Sequence, residues 1–237
     1  MGLSMARQLL TAGHTVLCIS RTTQDALAQH AEQSGATLLQ WTHDLAESTT
    51  LSTRLKGWLR EQVGKAWRSV TLINNAGVIA RIVPLSEADA SDLARALRVG
   101  LEAPMLLTAA FLRATEGWPA ERRVLNISSG LGRRAMASQA AYCAAKAGMD
   151  HFTRCVALEE AQKTGGAKVC SLAPGVMDTD MQLQLRSADL AAFPDRDSFA
   201  RLKSDGQLTS PDEAARRVLA FLARPDFGAQ PVADVRD

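Results

Sequence analysis

The sequence predicts an α/β fold, a doubly wound, Rossmann-like parallel sheet with helices on both faces. Three observations carry that expectation. The apolar runs at residues 15–20, 36–40, 70–73, 124–127 and 169–172 are continuous rather than alternating, as strands buried on both faces must be. Segments of helical period separate them, each long enough to cross from one parallel strand to the next. Polar and glycine-rich residues cluster just after the strands, where an open parallel sheet binds its ligands.

The elements follow in order. Residues 3–10 form a helical stripe that Gly13 stops. A buried strand over 15–20 leads to a helix over 23–33 with Gly35 behind it, and then to a strand over 36–40. Residues 48–63 are helical, and the strand at 70–73 ends in Asn74-Asn75-Ala76-Gly77. A long helix runs from Ser86 to about Glu116, interrupted or bent near Gly100 and Pro104. The strand at 124–127 is followed by an alanine-rich helix to about Lys163, which Gly165-Gly166 ends. Pro174-Gly175 halts the strand at 169–172, and residues 178–208 read as polar and irregular with short helical patches. Ser210 as N-cap and Pro211 at the first position open a helix to Ala223, and Val232 begins a last short strand. No repeat, low-complexity tract or linker interrupts the chain, so residues 1–237 are expected to form one domain.

The totals exclude several classes. A net charge of +2 gives no footprint for nucleic acid or an anionic membrane. No apolar run reaches transmembrane length, and no signal peptide opens the sequence. Cys18, Cys143, Cys155 and Cys170 form no C-x-x-C pair, and no histidine stands at metal-ligand spacing from them. They read as reduced thiols in a cytoplasmic protein without a metal.

The chemistry gathers in one stretch. Ser129 closes the run Val124-Leu125-Asn126-Ile127-Ser128, and Tyr142 and Lys146 lie four apart in the helix beyond it. That spacing puts both side chains on one face. Tyr142 is the only tyrosine, so any reaction that needs a phenol has one candidate. Alone, the pair reads equally as an amphipathic surface with a wet hydroxyl.

The combination of N-N-A-G, Ser-x12-Tyr-x3-Lys and a P-G about thirty residues on strongly resembles the short-chain dehydrogenase/reductase family, over almost the whole chain. Three stretches are especially similar to its sepiapterin reductase and benzil reductase branch. They are Leu172-Ala173-Pro174-Gly175-Val176-Met177-Asp178-Thr179-Asp180-Met181-Gln182, Ala157-Leu158-Glu159-Glu160 and the tail Ala233-Asp234-Val235-Arg236-Asp237.

The resemblance implies hydride transfer between a nicotinamide and a small carbonyl substrate, a ketone or vicinal dicarbonyl. Ser129 would donate a hydrogen bond to the carbonyl oxygen, and Tyr142 would give it a proton as general acid. A free phenol titrates near ~10, and the Lys146 ammonium on the same face is expected to lower that value. Lys146 would also hold the nicotinamide ribose. Ser128, one residue earlier, is expected to face the other side of its strand and be structural.

The resemblance implies cofactor contacts as well. Arg21 follows the first strand, and no Asp or Glu occurs in residues 15–21. Arginine suits a 2′-phosphate where an acid would suit a 2′-hydroxyl, so NADP(H) is preferred to NAD. The alternative is a solvated surface arginine. Asp44 and Leu45 match the adenine contact, with a solvated loop aspartate as the other reading. Asn75, Ala76 and Gly77 match the stretch lining the adenosine ribose, and Pro174, Gly175 and Thr179 the stretch beside the nicotinamide. Residues 178–208 match a mobile substrate lid. Met181, Leu183, Leu185 and Phe193 would form its apolar wall or else pack on the core. Asp234 matches a pterin anchor and reads equally as a solvated terminal aspartate. Relatives pair through the helices at 86–116 and around Tyr142, which implies a homodimer or homotetramer.

Two departures stand out. The family opens with a buried strand and a T-G-x-x-x-G-x-G turn, of which only Gly2 is matched here. The expectation is an N-terminally truncated fold, short by ~12 residues, a strand plus its turn. Loss of a central strand would leave two unpaired edges, poor folding and poor NADP(H) binding. The second departure is Val99-Gly100-Leu101 where the family has asparagine. Glycine permits the bend but gives no side chain to the proton relay. Two other readings stand beside a pterin or benzil-like reductase: another small-carbonyl reductase or alcohol dehydrogenase, and a non-catalytic remnant of the fold.

Overall fold

The computed structural model describes all residues, 1–237. Its strands are β1 (Val16–Ser20), β2 (Leu38–Thr42), β3 (Ser69–Asn74), β4 (Glu121–Ile127), β5 (Lys168–Ala173) and β6 (Val232–Asp234). The helices are α1 (Gly2–Thr11), α2 (Asp25–Ser34), α3 (Ser48–Arg60), α4 (Ala90–Leu97), α5 (Ala103–Ala114), α6 (Ala140–Ala161), α7 (Asp180–Arg186), α8 (Arg196–Ser204) and α9 (Pro211–Leu222). Every strand pairing is parallel, as the continuous apolar runs require.

The strands form two separate ladders. β1 pairs with β2, and β3-β4-β5-β6 make a four-stranded sheet. No strand of residues 1–237 lies between β1 and β3, and a cleft of about 1560 Å³ opens there, lined by both strands. Both facing edges therefore have no strand partner.

Alternation along β4 and β5 distributes the core to the two faces. Leu125, Ile127, Cys170 and Leu172 point one way, to Met5 of α1 and to Ala215, Val218 and Leu222 of α9. Val124 and Val169 point the other way, to Leu51, Leu55 and Leu59 of α3 and to Leu107 and Phe111 of α5. A smaller cluster, Ala6, Leu10, Val16, Leu27 and Ala31, holds α1 and α2 against β1.

The expected long helix at 86–116 is corrected at its start and interrupted where expected, near Gly100. It starts at Ala90, because the Asp89 carboxylate caps it by accepting from the Ser91 and Asp92 amides at 2.9 and 3.0 Å. It is then broken by a π-turn over Arg98–Glu102 that separates α4 from α5. Such turns insert a residue into the helical ladder and re-aim the next helical segment. Gly100 lies in that turn, where a Cβ would stand 3.0 Å from the Ala145 Cβ of α6. The glycine thus serves close helix approach as well as the bend. The stretch 178–208 is more regular than expected: it holds α7 and α8, and a bridge between Met177 and Thr209 closes its base. Asp178 anchors it through ion pairs to Arg186 at 3.3 Å and Lys203 at 2.5 Å.

Candidate active site

The C-terminal ends of β3, β4 and β5 carry the site. Asn74, last in β3, is buried and donates from Nδ2 to Thr108 at 3.2 Å and to Asn126 Oδ1 at 2.8 Å. Asn126 donates in turn to the Thr153 hydroxyl at 2.9 Å. This chain ties β3, β4, α5 and α6 together beneath the strand ends. Buried polar groups that are fully paired fix a unique arrangement, so the first asparagine of N-N-A-G is a brace. The next residues, Asn75, Ala76 and Gly77, emerge at the cleft.

Ser129 caps a single 3₁₀ turn, Gly130–Gly132, its hydroxyl accepting from the Leu131 amide at 3.2 Å. That turn returns the chain to α6, which presents Tyr142 and Lys146 one helical turn apart. The Ser129 hydroxyl lies against the Tyr142 phenol. Lys146 is 3% exposed and its Nζ donates to the Ile127 carbonyl at 2.7 Å. The same Nζ lies 5.7 Å from the Tyr142 ring centroid. Gly77 faces it across the site, since a Cβ there would stand 3.7 Å from Nζ. Ser129, Tyr142, Lys146 and the N-N-A-G loop therefore converge.

The electrostatics correct one expectation. Burial pushes the Tyr142 phenol above its ordinary value, with the Ser129 hydrogen bond opposing, and Lys146 does not bring it down. The lysine is committed to the Ile127 carbonyl, and burial lowers its own pKa to about 8, with the Asp150 carboxylate opposing. The pair thus consists of a firmly protonated phenol and a cation that titrates unusually close to neutrality.

Ser128 points away from the site, as expected, and donates to Asp150 Oδ1 at 2.6 Å. Asp150 is a functional candidate that motif reading missed. Its signal was a carboxylate four residues after Lys146, on the same face of an alanine-rich helix.

Gly2, Arg21, Asp44, Leu45, Asn75, Ala76 and Gly77 all line the cleft beside β1 and β3. Gly2 is pressed so tightly on Asn75 that a Cβ would meet Nδ2 at 2.6 Å and displace that side chain. Asp44 accepts from the Ala46 amide at 3.0 Å and pairs with Arg95 at 3.0 Å. The amide bond, with Arg95 and Arg21 adding to it, lowers its pKa. Arg95 was not singled out from the sequence, because nothing in its helical context distinguished it from other surface arginines. Arg21 is exposed at the mouth. This lining fits a dinucleotide: a glycine that admits close backbone approach, a free guanidinium, and an aspartate held as an acceptor.

The remaining candidates lie past β5 and β6. Gly175 has φ +83°, a left-handed conformation that glycine adopts without strain. Pro174 precedes it, and Thr179 stands at the N-terminus of α7. Met181 is half-buried and Leu183 exposed, whereas Leu185 and Phe193 are packed in the core. Asp234 ends β6, with its carboxylate held by Arg236 through two bonds of 2.7 Å. Arg236 accordingly lowers its pKa, and the side chain is not solvated as a free terminal aspartate would be.

A parallel α/β sheet with serine, tyrosine and lysine gathered at its strand ends is the architecture of an oxidoreductase. The short chain dehydrogenase family model matches residues 1–190, and the chain belongs to that family. Benzil reductase ((S)-benzoin forming) of Bacillus cereus is 37% identical over 227 residues, covering 96% of this chain and 91% of that protein. Sepiapterin reductase of Meriones unguiculatus is 28% identical over 229 residues, covering 93% and 85%. Among solved structures, a short-chain dehydrogenase/reductase from Burkholderia vietnamiensis is 36% identical with a TM-score of 0.66, covering 100% of this chain and 92% of its own.

Proposed function

We propose that this protein is an NADPH-dependent reductase of a ketone or vicinal dicarbonyl of the benzil or pterin side-chain type, with Tyr142 as general acid. One observation supports the reading above the others: Ser129 lies against the Tyr142 phenol while Lys146 is buried one turn along the same helix. The likeness to a benzil reductase over nearly the full chain supports the substrate class.

When bound, the nicotinamide supplies the hydride. The protein's part is to hold the carbonyl and manage its proton. Ser129 and Tyr142 both offer hydroxyl donors to one oxygen, so charge developing there meets two donors already in place. A phenol kept protonated by burial is a competent acid throughout the neutral range. Lys146, tied to the Ile127 carbonyl, holds the helix that carries Tyr142 against the strand end that carries Ser129. On this reading Gly2, Asn75, Ala76 and Gly77 hold the cofactor's backbone, Arg21 its 2′-phosphate, Asp44 and Leu45 its adenine, and Pro174, Gly175 and Thr179 its nicotinamide end. Met181 and Asp234 would face the substrate, Asp234 sharing its carboxylate with Arg236.

A substrate panel tests the proposal. NADPH oxidation should be fastest with benzil and sepiapterin, and simple secondary alcohols with NADP⁺ should react slowly. Faster turnover of the alcohols, or no oxidation with any carbonyl, would contradict it.

A further inference from the structure

Tyr142, Lys146 and Asp150 succeed one another at four-residue intervals along one face of α6. Asp150 is 2% exposed. Its Oδ1 accepts from the Ser128 hydroxyl at 2.6 Å and from the Ser171 hydroxyl of β5 at 2.7 Å. Its Oδ2 is buried with no hydrogen-bond partner. The nearest cation to Oδ2 is Arg133, whose Nε stands at 3.6 Å and whose Nη2 donates to the Ala233 carbonyl at 3.2 Å. The turn before Arg133 presses onto the same atoms: a Cβ on Gly132 would lie 2.8 Å from Oδ2 and 3.0 Å from the Lys146 carbonyl.

This arrangement is costly for stability alone. Two hydroxyls satisfy half of the carboxylate, and the other half stays buried and short of donors. Lys146 is equally expensive, a buried ammonium whose single strong bond goes to a neutral carbonyl. Lys146 has no ion pair, Asp150 has only the 3.6 Å contact with Arg133, and the two charges lie one helical turn apart. Their mutual field reaches further in the buried interior than it would in water. Cys170 of β5, packed beside Asp150, responds to the same field. Burial first and the carboxylate second push its thiol up to about 12.

We propose that Asp150 is a positioning residue for the Tyr142–Lys146 pair: its buried carboxylate is the fixed counter-charge that keeps Lys146 a cation, and its bond to Ser128 sets the strand end that carries Ser129. The proposal rests on the reading of Lys146 as the partner of Tyr142. The groups facing the pair are few. Tyr142 comes from α6 itself, Arg133 from the turn after β4, Cys170 and Ser171 from β5, and Ser128 from the position just after β4. Arg133 opposes Asp150, partly neutralising the carboxylate from its far side.

The opposed charges give a test with two signs. With lysine labelled at ¹³Cε, the Lys146 resonance is identified by its loss in Lys146→Met, and its titration midpoint is read by NMR. Asp150→Asn retains an acceptor for both serines and removes the charge. It should lower the midpoint by about one pH unit. Arg133→Gln should raise it. An unchanged midpoint in Asp150→Asn, or shifts of the same sign in both variants, would overturn the proposal. If Asp150→Asn does not fold, Arg133→Gln decides alone: an upward shift supports the proposal, and an unchanged or lower midpoint overturns it. The titration needs neither substrate nor cofactor. Failure of the reductase reading would appear separately, as absent NADPH oxidation in the wild type. Where activity is present, kcat of Asp150→Asn should fall about fivefold near pH 8 and recover toward wild type near pH 6, with KM unchanged. A merely structural role would lower kcat by one factor at every pH.

Discussion

Lys146 Nζ donates at 2.7 Å to the carbonyl of Ile127, two residues before Ser129. The bond pins α6 to the end of β4, so the helix that carries Tyr142 and the strand that carries Ser129 cannot move apart independently. It also leaves an ammonium in a buried place, and that has a measurable consequence.

The folded Lys146 titrates at about 8, below the 10.5 of the free side chain. Between those values the unfolded chain holds a proton that the folded chain has released. Stability from this group is therefore lowest below pH 8 and rises as pH climbs toward 10.5, by about 3 kcal/mol in total. Lys146→Met lacks the group, so its unfolding free energy relative to wild type should be highest near pH 7. The difference should shrink steadily toward pH 10. Urea unfolding of both proteins across that range measures it.

Arg21 stands exposed at the cleft mouth, and the Asp44 carboxylate within its field already pairs with Arg95. If Arg21 meets a 2′-phosphate, Arg21→Ala should weaken NADPH binding about tenfold or more, the cost of a charge-assisted hydrogen bond. NADH binding should be unaffected. Fluorescence titration with the two reduced cofactors separates the outcomes, and equal losses for both would return Arg21 to the solvated surface.

The β1–β2 ladder shares no backbone hydrogen bonds with the four-stranded sheet, and its cluster has 5 buried residues against 10 and 9 in the two main clusters. Few buried contacts and an unpaired edge mark a region that opens locally. Amides of Val16–Ser20 and Leu38–Thr42 should exchange with solvent at least about tenfold faster than those of β4 and β5. Hydrogen exchange followed by mass spectrometry reads this directly, and equal protection would show that the two ladders open as one.

Asn126 sits midway in the chain from Asn74 to Thr153. Asn126→Ala leaves the Asn74 amide only its bond to Thr108 and the Thr153 hydroxyl only its bond to the Met149 carbonyl, at a cost of about 1–3 kcal/mol. Asn126→Asp should be at least as damaging at neutral pH, because it buries a charge with no cation beside it. Chemical denaturation of both variants checks the order.

Much of this was legible in the sequence. Continuous apolar runs gave parallel strands, since only strands covered on both faces dispense with alternation. The four-residue spacing of Tyr142 and Lys146 placed them together because a helix brings such pairs onto one face. Tertiary burial was not legible. It left Tyr142 governed by burial and without the expected influence of Lys146, because the lysine turned to a backbone carbonyl that no motif reveals. Asp150 went unnoticed for the same reason: a carboxylate in a helix reads as solvated until β5 and the Gly130–Gly132 turn close over it. The π-turn at Arg98–Glu102 was visible only as an interruption or bend of unspecified kind, and the close approach of Ala145 to Gly100 comes from a helix distant in sequence.

In the proposed reaction the phenol of Tyr142 protonates the substrate's carbonyl oxygen. The direct measurement is kcat for NADPH oxidation with benzil in Tyr142→Phe, alongside cofactor affinity. The expected kcat is lower by about 10²–10⁴-fold, with NADPH binding unchanged. A Tyr142→Phe enzyme that retained wild-type kcat would contradict that role for the phenol.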